Sequence, residues 1–379
     1  MRADYQELID EVSALLGTPA TLEGRDFALI AFGAHESEDD RVMDPVRTRS
    51  ILRRRSPPAV RAWFERFGIA TARAPVRIPP EPAAGVLTGR ICLPVRHGSV
   101  VYGYIWLLDD DVLTLDDPRL DDAMATAGRI GTLLAEEARA GARLGELLHA
   151  LLAEAGQGAA DALAEALGPA AEGPLTLVAV TPWPVTQRGE PADVPTAPPG
   201  ALALCLMPGG QAHGRVAPAA PAALAALTRP GTARAVAERL RGGATAGIGG
   251  TGHGPEDLPG AWRQALAAAR AAGAEDRLGA VAAWAALGPY RLLTALPEGA
   301  PDPAVAPLLA PGHRELARTA ETFLDHAGQA ARTAAALGIH RQTLYYRLSR
   351  VERLTGLDLG SGADRLLLHM ALKAARLRP

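Results

Sequence analysis

The residues best suited to chemistry lie near the C-terminus, where arginine, glutamine and tyrosine recur at helical spacing. Arginine can donate two hydrogen bonds to guanine O6 and N7, and glutamine can bind adenine in the same two-point way. Tyrosine and threonine can reach a phosphate or a thymine methyl group. These residue types read or hold nucleic acid. The candidate contact residues are His340, Arg341, Gln342, Thr343, Tyr346, Arg347, Arg350 and Arg353.

Two short helices around a tight turn are predicted to position these side chains. The first helix ends at Gly338, where left-handed backbone is tolerated, and Ile339 is predicted to fill the core beneath the turn. In the second helix, which begins near Arg341, an apolar stripe faces the first helix and leaves the polar face free. The stripe consists of Leu344, Leu348, Val351 and Thr355. This is the layout of a helix-turn-helix DNA-binding motif.

Positive charge is concentrated in this segment. Residues 329–355 contain five arginines and one acid, Glu352, whereas the whole chain has a net charge of −3. The alternative is a solvated basic helix in an ordinary helical bundle, since exposed arginine is common. Motif, charge and stripe agree here, so DNA binding is the favoured interpretation.

The same residues resemble a known family. The run from His340 to Leu348 and the later segment from Leu354 to Leu359 are similar to the C-terminal domain of the PucR/CdaR family of bacterial transcription regulators. The family pattern is close to HRNTLRYRL followed by LTGLDL. This chain departs from it at Gln342 and Tyr345, two positions that bear on base preference and phosphate contact. The resemblance implies a DNA-binding transcription regulator.

Two upstream segments extend the resemblance. Residues 287–293 (LGPYRLL), together with a glycine turn at residues 247–249 and the alanine-rich helix after it, resemble the family's degenerate GGDEF-like domain. The signature that a diguanylate cyclase needs is absent, so the resemblance implies no cyclase activity and no enzyme. Residues 22–134 resemble a GAF sensor domain through the strand types of residues 91–95 and 101–106.

The predicted fold class is multidomain α+β. It combines a GAF-like α/β sensor, a GGDEF-like α/β middle domain and an all-α helix-turn-helix C-terminal domain. The predicted boundaries are 1–140 for the sensor or dimerisation domain with an N-terminal helix, 141–296 for the middle domain preceded by a helical stalk, 297–312 for a proline-rich linker that lets the DNA-binding head move, and 313–379 for the DNA-binding domain.

Length and composition agree with this organisation. A chain of 379 residues suffices for two or three domains, and 48% hydrophobic with 21% charged residues is ordinary for a soluble protein. No apolar run reaches the roughly 18 residues that span a bilayer, and the N-terminal segment is acidic and amphipathic, so a cytoplasmic protein without membrane contact is expected. Cys92 and Cys205 have no partner spacing and are expected to be buried free thiols.

Hydrophobic patterns predict the elements in more detail. A β-hairpin with its turn at residues 97–99 gives the strongest strand signal. A long helical stretch at residues 120–155, which its glycines should weaken or break, is interpreted as a dimer stalk, with packing within one chain as the alternative. The other elements are strands at 27–32, 175–180 and 201–206 and helices at 5–16, 44–55, 59–67, 159–167, 219–227, 233–240 and 261–272.

Other motifs resemble sites of different kinds. Gly247-x-Gly249-x-x-Gly252, with Glu275 further on, formally satisfies the dinucleotide fingerprint. Pro255 and Pro259 separate these glycines from the helix, so a tight turn is the favoured interpretation. No metal or cofactor motif is present, and the acidic runs at residues 36–40 and 109–111 lack the spacing of a calcium loop.

The predicted partners are double-stranded DNA, a second copy of the chain in a homo-oligomer, and a small-molecule effector. An effector pocket would lie in the N-terminal domain at residues 47–77, whose arginines and Trp63 could suit an acidic or aromatic ligand or form an exposed helix face. The side chains concerned are Arg53, Arg54, Arg55, Arg61, Trp63 and Arg66. Two rival functions remain: a ligand sensor acting through protein–protein contacts with a weak DNA head, and a nucleotide-using enzyme centred on the glycine turn.

Overall fold

The chain folds into two compact units, residues Met1–Ala140 and Gly141–Pro379. The structure is a computed structural model and describes residues 2–33, 51–52, 56–109, 113–154, 156–186, 190–209, 211–212, 215–216, 221–296 and 301–377. Together the units form a mixed α/β fold with a helical C-terminal part. Within the described ranges, none of the helices combines the length and apolar composition that a bilayer crossing requires.

The first unit is built on a five-stranded antiparallel sheet. Its strands are β1 (Ala20–Gly24), β2 (Leu29–Phe32), β3 (Val76–Ile78), β4 (Gly89–His97) and β5 (Val100–Asp109), in the order β2-β1-β5-β4-β3. The β4–β5 hairpin confirms the strongest strand prediction. Strand β1 has no counterpart in the sequence-based assignment, and β2 begins after Phe27, whose φ of 61° places that residue in a turn.

Helices cover both faces of this sheet. The N-terminal helix α1 (Arg2–Leu16) packs its Ile9 and Val12 into an apolar core on one face, together with the first half of a long helix, α3 (Arg119–Glu154). Helix α2 (Pro58–Glu65) inserts Val60 and Phe64 into an aromatic cluster on the other face. Of the helix predicted at residues 44–55, only 51–52 lie within the described residues, and they are helical.

Helix α3 is continuous over 36 residues despite its glycines, so the expected break is wrong. A Cβ at Gly131 would stand 2.0 Å from the carbonyl oxygen of Arg96, and one at Gly145 would stand 2.4 Å from that of Leu204. These glycines let the helix approach two strands closely. Leucines of its second half, among them Leu148, are buried in the core of the second unit, so the apolar stripe packs within the chain.

The middle part of the second unit is a second five-stranded sheet covered by helices. Its main strands are β6 (Thr176–Thr181), β7 (Ala201–Met207), β10 (Ala223–Thr228), β11 (Thr245–Ile248) and β12 (Val281–Ala283), ordered β12-β11-β6-β10-β7. Only the β11–β12 pair is parallel among them. The short strands β8 (Gln211–Ala212) and β9 (Arg215–Val216) form a separate ribbon.

Helix α4 (Gln157–Leu167) and helix α6 (Leu258–Ala274) pack on one face of this sheet, and α5 (Pro230–Leu240) packs on the other. A short helix, α7 (Tyr290–Leu293), follows β12. Residues 219–220 of the helix predicted at 219–227 lie outside the described ranges, and the rest of that prediction is wrong, because residues 223–228 form strand β10 between β6 and β7. All six of its residues are buried, between cores on both faces, and this position overrides the helical preference of alanine.

Four helices form the C-terminal part: α8 (Arg314–Asp325), α9 (Ala330–Leu337), α10 (Arg341–Thr355) and α11 (Gly362–Arg376). The preceding segment differs from the flexible linker predicted at residues 297–312. Val305 and Leu308 are fully buried in the core shared by these helices. The described part of the segment, residues 301–312, therefore belongs to the packed C-terminal part.

Candidate nucleic-acid interface

The C-terminal part contains two short helices joined by a tight turn. Helix α9 ends at Gly338, whose φ of 64° is left-handed, and the amide of Ile339 donates to the carbonyl of Ala334 at 3.0 Å. This closes the turn in a conformation that suits glycine. Four residues of α10 are buried against the core of this domain, and they are the residues of the predicted apolar stripe. The buried stripe residues are Leu344, Leu348, Val351 and Thr355.

His340 caps α10. Its Nδ1 accepts a hydrogen bond from the backbone amide of Gln342 at 3.3 Å, which satisfies one of the free amides at the helix start. In a neutral ring the proton then resides on Nε2, and this N–H is the donor that remains available. This predicted contact residue therefore has a structural role as well as an exposed position.

The polar face of α10 is open. Tyr346 is 60% exposed, and the other residues of the face are exposed with it. Arg350 and Arg353 make no salt bridge with any residue that the structure describes, and Glu352 on the flank accepts the amide of Leu359 at 3.1 Å. Guanidinium groups without carboxylate partners can bind phosphate. Seven of the eight predicted contact residues are exposed here: His340, Arg341, Gln342, Thr343, Tyr346, Arg350 and Arg353.

Arg347 differs from the other predicted contacts. Its Nη2 lies 2.6 Å from Oε1 of Glu315 on α8, and its Nη1 lies 3.5 Å from Oγ1 of Thr319. Its side chain is only 19% exposed. The physical reason is its angular position, about 60° from the buried stripe, which brings it against the scaffold helix α8. Arg347 therefore ties α10 to α8.

Tyr345 is a surface residue at which the chain departs from the family pattern. Nε and Nη2 of Arg341 donate to its hydroxyl at 3.1 and 2.9 Å, and the guanidinium lies 5.4 Å from the ring centroid. The contact leaves the Nη1 side of the guanidinium available. Spacing i, i+4 on one helix is the signal that could have identified this pair.

The glycine turn of the middle part is closed by its own helix. A Cβ at Gly247 would stand 1.9 Å from the carbonyl oxygen of Ala265, and one at Gly249 would stand 2.2 Å from that of Ala261. Both glycines thus permit α6 to lie directly on β11. Glu275, the acid of the formal dinucleotide fingerprint, is buried and accepts hydrogen bonds from Tyr290 and Lys373. The close packing of α6 on β11 requires these glycines, so no phosphate-binding role is needed to explain them.

In the predicted effector and cation sites, the described side chains contact other residues of the protein. Arg61 pairs with Glu65, Arg66 lies over the ring of Trp63, and Asp109 pairs with Arg77 at 2.8 Å. Residues 36–40, 47–50, 53–55 and 110–111 lie outside the described ranges. In the described part of the chain there is no group of three or more His, Cys, Asp or Glu side chains arranged for a metal ion, and both cysteines are free and buried, as predicted.

The α9–turn–α10 arrangement, with one helix packed by a single stripe and polar on its open side, defines a helix-turn-helix domain. The family model of the PucR C-terminal helix-turn-helix domain matches residues 316–374. Residues 316–374 of this chain therefore form a helix-turn-helix domain of the PucR C-terminal type.

Known proteins resemble the chain over limited regions. The carbohydrate diacid regulator of Escherichia coli (strain K12) is 53% identical over 58 residues, 15% of this chain and 15% of that protein. The proline-responsive transcriptional activator PutR of Bacillus subtilis (strain 168) is 28% identical over 136 residues. That match covers 35% of this chain and 32% of PutR, so the chain spans at most about a third of either curated relative. The crystal structure of a regulator of polyketide synthase expression from Bifidobacterium adolescentis matches with a TM-score of 0.27 and 18% identity, over 62% of this chain and 92% of that chain.

Proposed function

We propose that this protein is a sequence-specific DNA-binding transcription regulator of the PucR/CdaR type, with no catalytic activity. The observation that carries the proposal is the open polar face of α10, which presents arginine, glutamine and tyrosine to solvent while its leucines hold the helix from behind. The match of the C-terminal domain to a helix-turn-helix family and the regulator names of the relatives support it.

In this proposal α10 lies in the major groove of double-stranded DNA. The residues at its start, Arg341, Gln342 and Thr343, enter the groove first and contact base edges. Tyr346, Arg350 and Arg353, further along the same face, hold the phosphates. Arg347 contributes by fixing α10 on α8, since Glu315 and Thr319 occupy its guanidinium.

A single helix of this kind makes few base contacts, so we propose that the protein binds as a homodimer or larger oligomer on paired half-sites about one helical turn apart. The first unit is proposed to be the GAF-like domain, residues 1–140, and to bind a small-molecule effector. Residues 141–296 are proposed to be the GGDEF-like domain and residues 313–379 the DNA-binding domain. Chromosomal DNA as the target implies that the protein acts in the cytoplasm.

The test is selection of duplexes from a random-sequence library by the full chain. We expect enrichment of a defined motif, and binding to that motif should weaken steeply with salt because phosphate contacts release counterions. The matched comparison is the double substitution Arg341→Glu and Arg350→Glu, two exposed positions at which the fold should be kept, as checked by circular dichroism. We expect this variant to lose the motif.

Two results would count against the proposal. If the wild-type chain enriches no motif, or if the double variant binds as the wild type does, α10 is not the DNA-reading helix. Salt-insensitive or absent DNA binding together with tight effector binding would favour the sensor that acts through protein contacts instead.

A further inference from the structure

A buried cluster of charges surrounds the side chain of Lys373, the single lysine of the chain. Its Nζ lies 3.2 Å from Glu275 Oε2, 2.9 Å from Glu321 Oε1 and 3.0 Å from Asp325 Oδ2. The side chains of Lys373, Glu275 and Glu321 are 8% or less exposed. We call these four residues the Lys373 cluster.

Further groups complete the cluster. The Tyr290 hydroxyl donates to Glu275 at 2.8 Å, Arg277 pairs with the same carboxylate, and Arg376 pairs with Glu321. Lys373 and two arginines therefore face three carboxylates, and Nε2 of His369 also lies 3.0 Å from Oδ1 of Asp325. Burial by itself would raise the pKa of Glu275, but the hydrogen bonds from Arg277, Tyr290 and Lys373 outweigh it and lower that pKa to about 2.

The cluster joins two parts of the second unit. Glu275 follows α6 of the middle part and Tyr290 begins α7, whereas Glu321 and Asp325 lie on α8 and Lys373 on α11. Around it the contact is apolar. Side chains from α11 and its end pack against alanines and leucines of α6 and α7, and they are Met370, Ala374 and Leu377.

Helix α8 connects this cluster to the DNA-reading helix. Glu321 and Asp325 are near its C-terminal end, while Glu315 and Thr319 near its N-terminal end hold Arg347 of α10. Helix α8 is thus held to Glu275 through Lys373 at one end and to Arg347 of α10 nearer its other end.

The two kinds of contact contribute differently. Alanines and leucines tolerate small slides between helices, because apolar contact has little directional preference. A buried ion cluster requires every partner in place, since a charge left unpaired in the interior is strongly unfavourable. The charges therefore select one docking geometry from those that the apolar contacts permit.

From this geometry we infer that the Lys373 cluster is a positioning device, which fixes the orientation of the DNA-reading helices on the middle part and so sets the spacing of the two half-sites that an oligomer can occupy together. The inference rests on the proposed function, and it assigns Lys373, Glu275 and Glu321 as positioning residues that do not touch DNA. It differs from a stabilising role because it concerns the choice between spacings.

The experiment uses the full chain and its selected half-site, placed in duplexes as one copy or as two copies separated by about 5 to 15 base pairs. The variants are Glu275→Gln, which keeps the side-chain shape, and Lys373→Met. The control is Glu238→Gln, which removes an exposed ion pair with Arg241 in the same middle part. Affinity is measured for each duplex.

We expect the wild type and the control to favour one spacing by about 10-fold or more, since the second contact is then intramolecular. Glu275→Gln and Lys373→Met should reduce that preference to about 2-fold or less while single-site affinity stays within about 2-fold of wild type. Unchanged spacing preference in both variants would overturn the inference. So would a wild type without any preference, or a parallel loss of single-site binding, which indicates general damage.

Hydrogen exchange without DNA separates this inference from the proposed function. In both variants amides at the contact of α11 with α6 and α7 should exchange about 10-fold faster, whereas those of α9 and α10 should keep their protection. If the wild type binds no DNA, the proposed function fails on its own. If exchange at the contact is unchanged in both variants, the positioning role fails even where DNA binds.

Discussion

The glycine turn before α6 and the turn before α10 show how similar sequence signals can serve different ends. Both place glycine in a turn that precedes a helix, and both resemble ligand-binding motifs. In the first, the helix that follows lies directly on the glycines, with the carbonyl oxygen of Ala261 2.2 Å from where a Cβ of Gly249 would be. In the second, a Cβ at Gly338 would meet nothing within 4 Å.

A glycine motif must therefore be judged by the elements that pack against it. The glycines before α6 are required by close packing inside the protein, whereas Gly338 is required by its left-handed backbone and leaves the next helix open on one side. Only the second arrangement has a surface that a macromolecule can reach. Four measurements test this contrast.

The largest expected effect is that of Gly249→Ala. The added methyl group meets backbone atoms of α6, so the helix must shift, and we expect the free energy of unfolding to fall by about 3 kcal/mol. Gly260→Ala in the same helix is the control, because its Cβ would have no neighbour nearer than 4.0 Å, and it should be neutral or slightly stabilising. Denaturant unfolding measures both. Nucleotide binding by the wild type that Gly249→Ala removes would instead revive the enzyme interpretation.

Substitution of the residues proposed to contact bases should affect DNA binding and leave folding unchanged. Arg341→Ala and Gln342→Ala are each expected to reduce affinity for the selected motif by about 1–3 kcal/mol and to relax base choice. Arg239→Ala on α5 makes the same change of charge elsewhere and should have little effect. Titrations against the motif and against scrambled DNA test this, and equal losses on both duplexes would contradict a base-reading role.

Gly338→Ala should lower stability by about 1 kcal/mol, since alanine is unfavourable at the φ of 64° that this position requires. Gly338→Asn should be better tolerated, because asparagine adopts left-handed backbone more readily. Thermal unfolding provides the measurement. If the alanine variant is as stable as the wild type, the turn does not depend on glycine in the way described.

Arg350→Ala is expected to have the smallest and least selective effect. Loss of a residue that holds phosphate should weaken binding to all DNA sequences alike. It should also reduce the slope of log affinity against log salt by about 1. A salt series on specific and random duplexes is sufficient. A loss confined to the selected motif would place Arg350 among the base-reading residues.

The sequence predicts the helix-turn-helix well because its determinants are local. Gly338, the stripe of leucines and the cap at His340 lie within a few residues of what they shape. The placement of Arg347 could not be predicted in the same way. Its partner Glu315 is 32 residues earlier in the chain, and only the packing of α8 on α10 brings the two together.

Alanine and glycine are where sequence reasoning fails in this chain. Alanine indicates a helix at residues 219–227, but the strand there is decided by burial on both faces. Glycines in α3 indicate a break, but two of them meet strand carbonyls at a distance that no other residue allows. In both cases the tertiary neighbour decides, and the neighbour is distant in sequence.

The isolation of Lys373 affects how complexes with DNA can be captured. Formaldehyde bridging usually begins at a primary amine, yet the surface proposed to meet DNA carries guanidinium groups, and the chain's one ε-amino group is enclosed by three carboxylates. Aldehyde fixation at this surface would therefore have to begin at groups other than a lysine amine, so native or ultraviolet capture is the better first choice for recovering bound fragments.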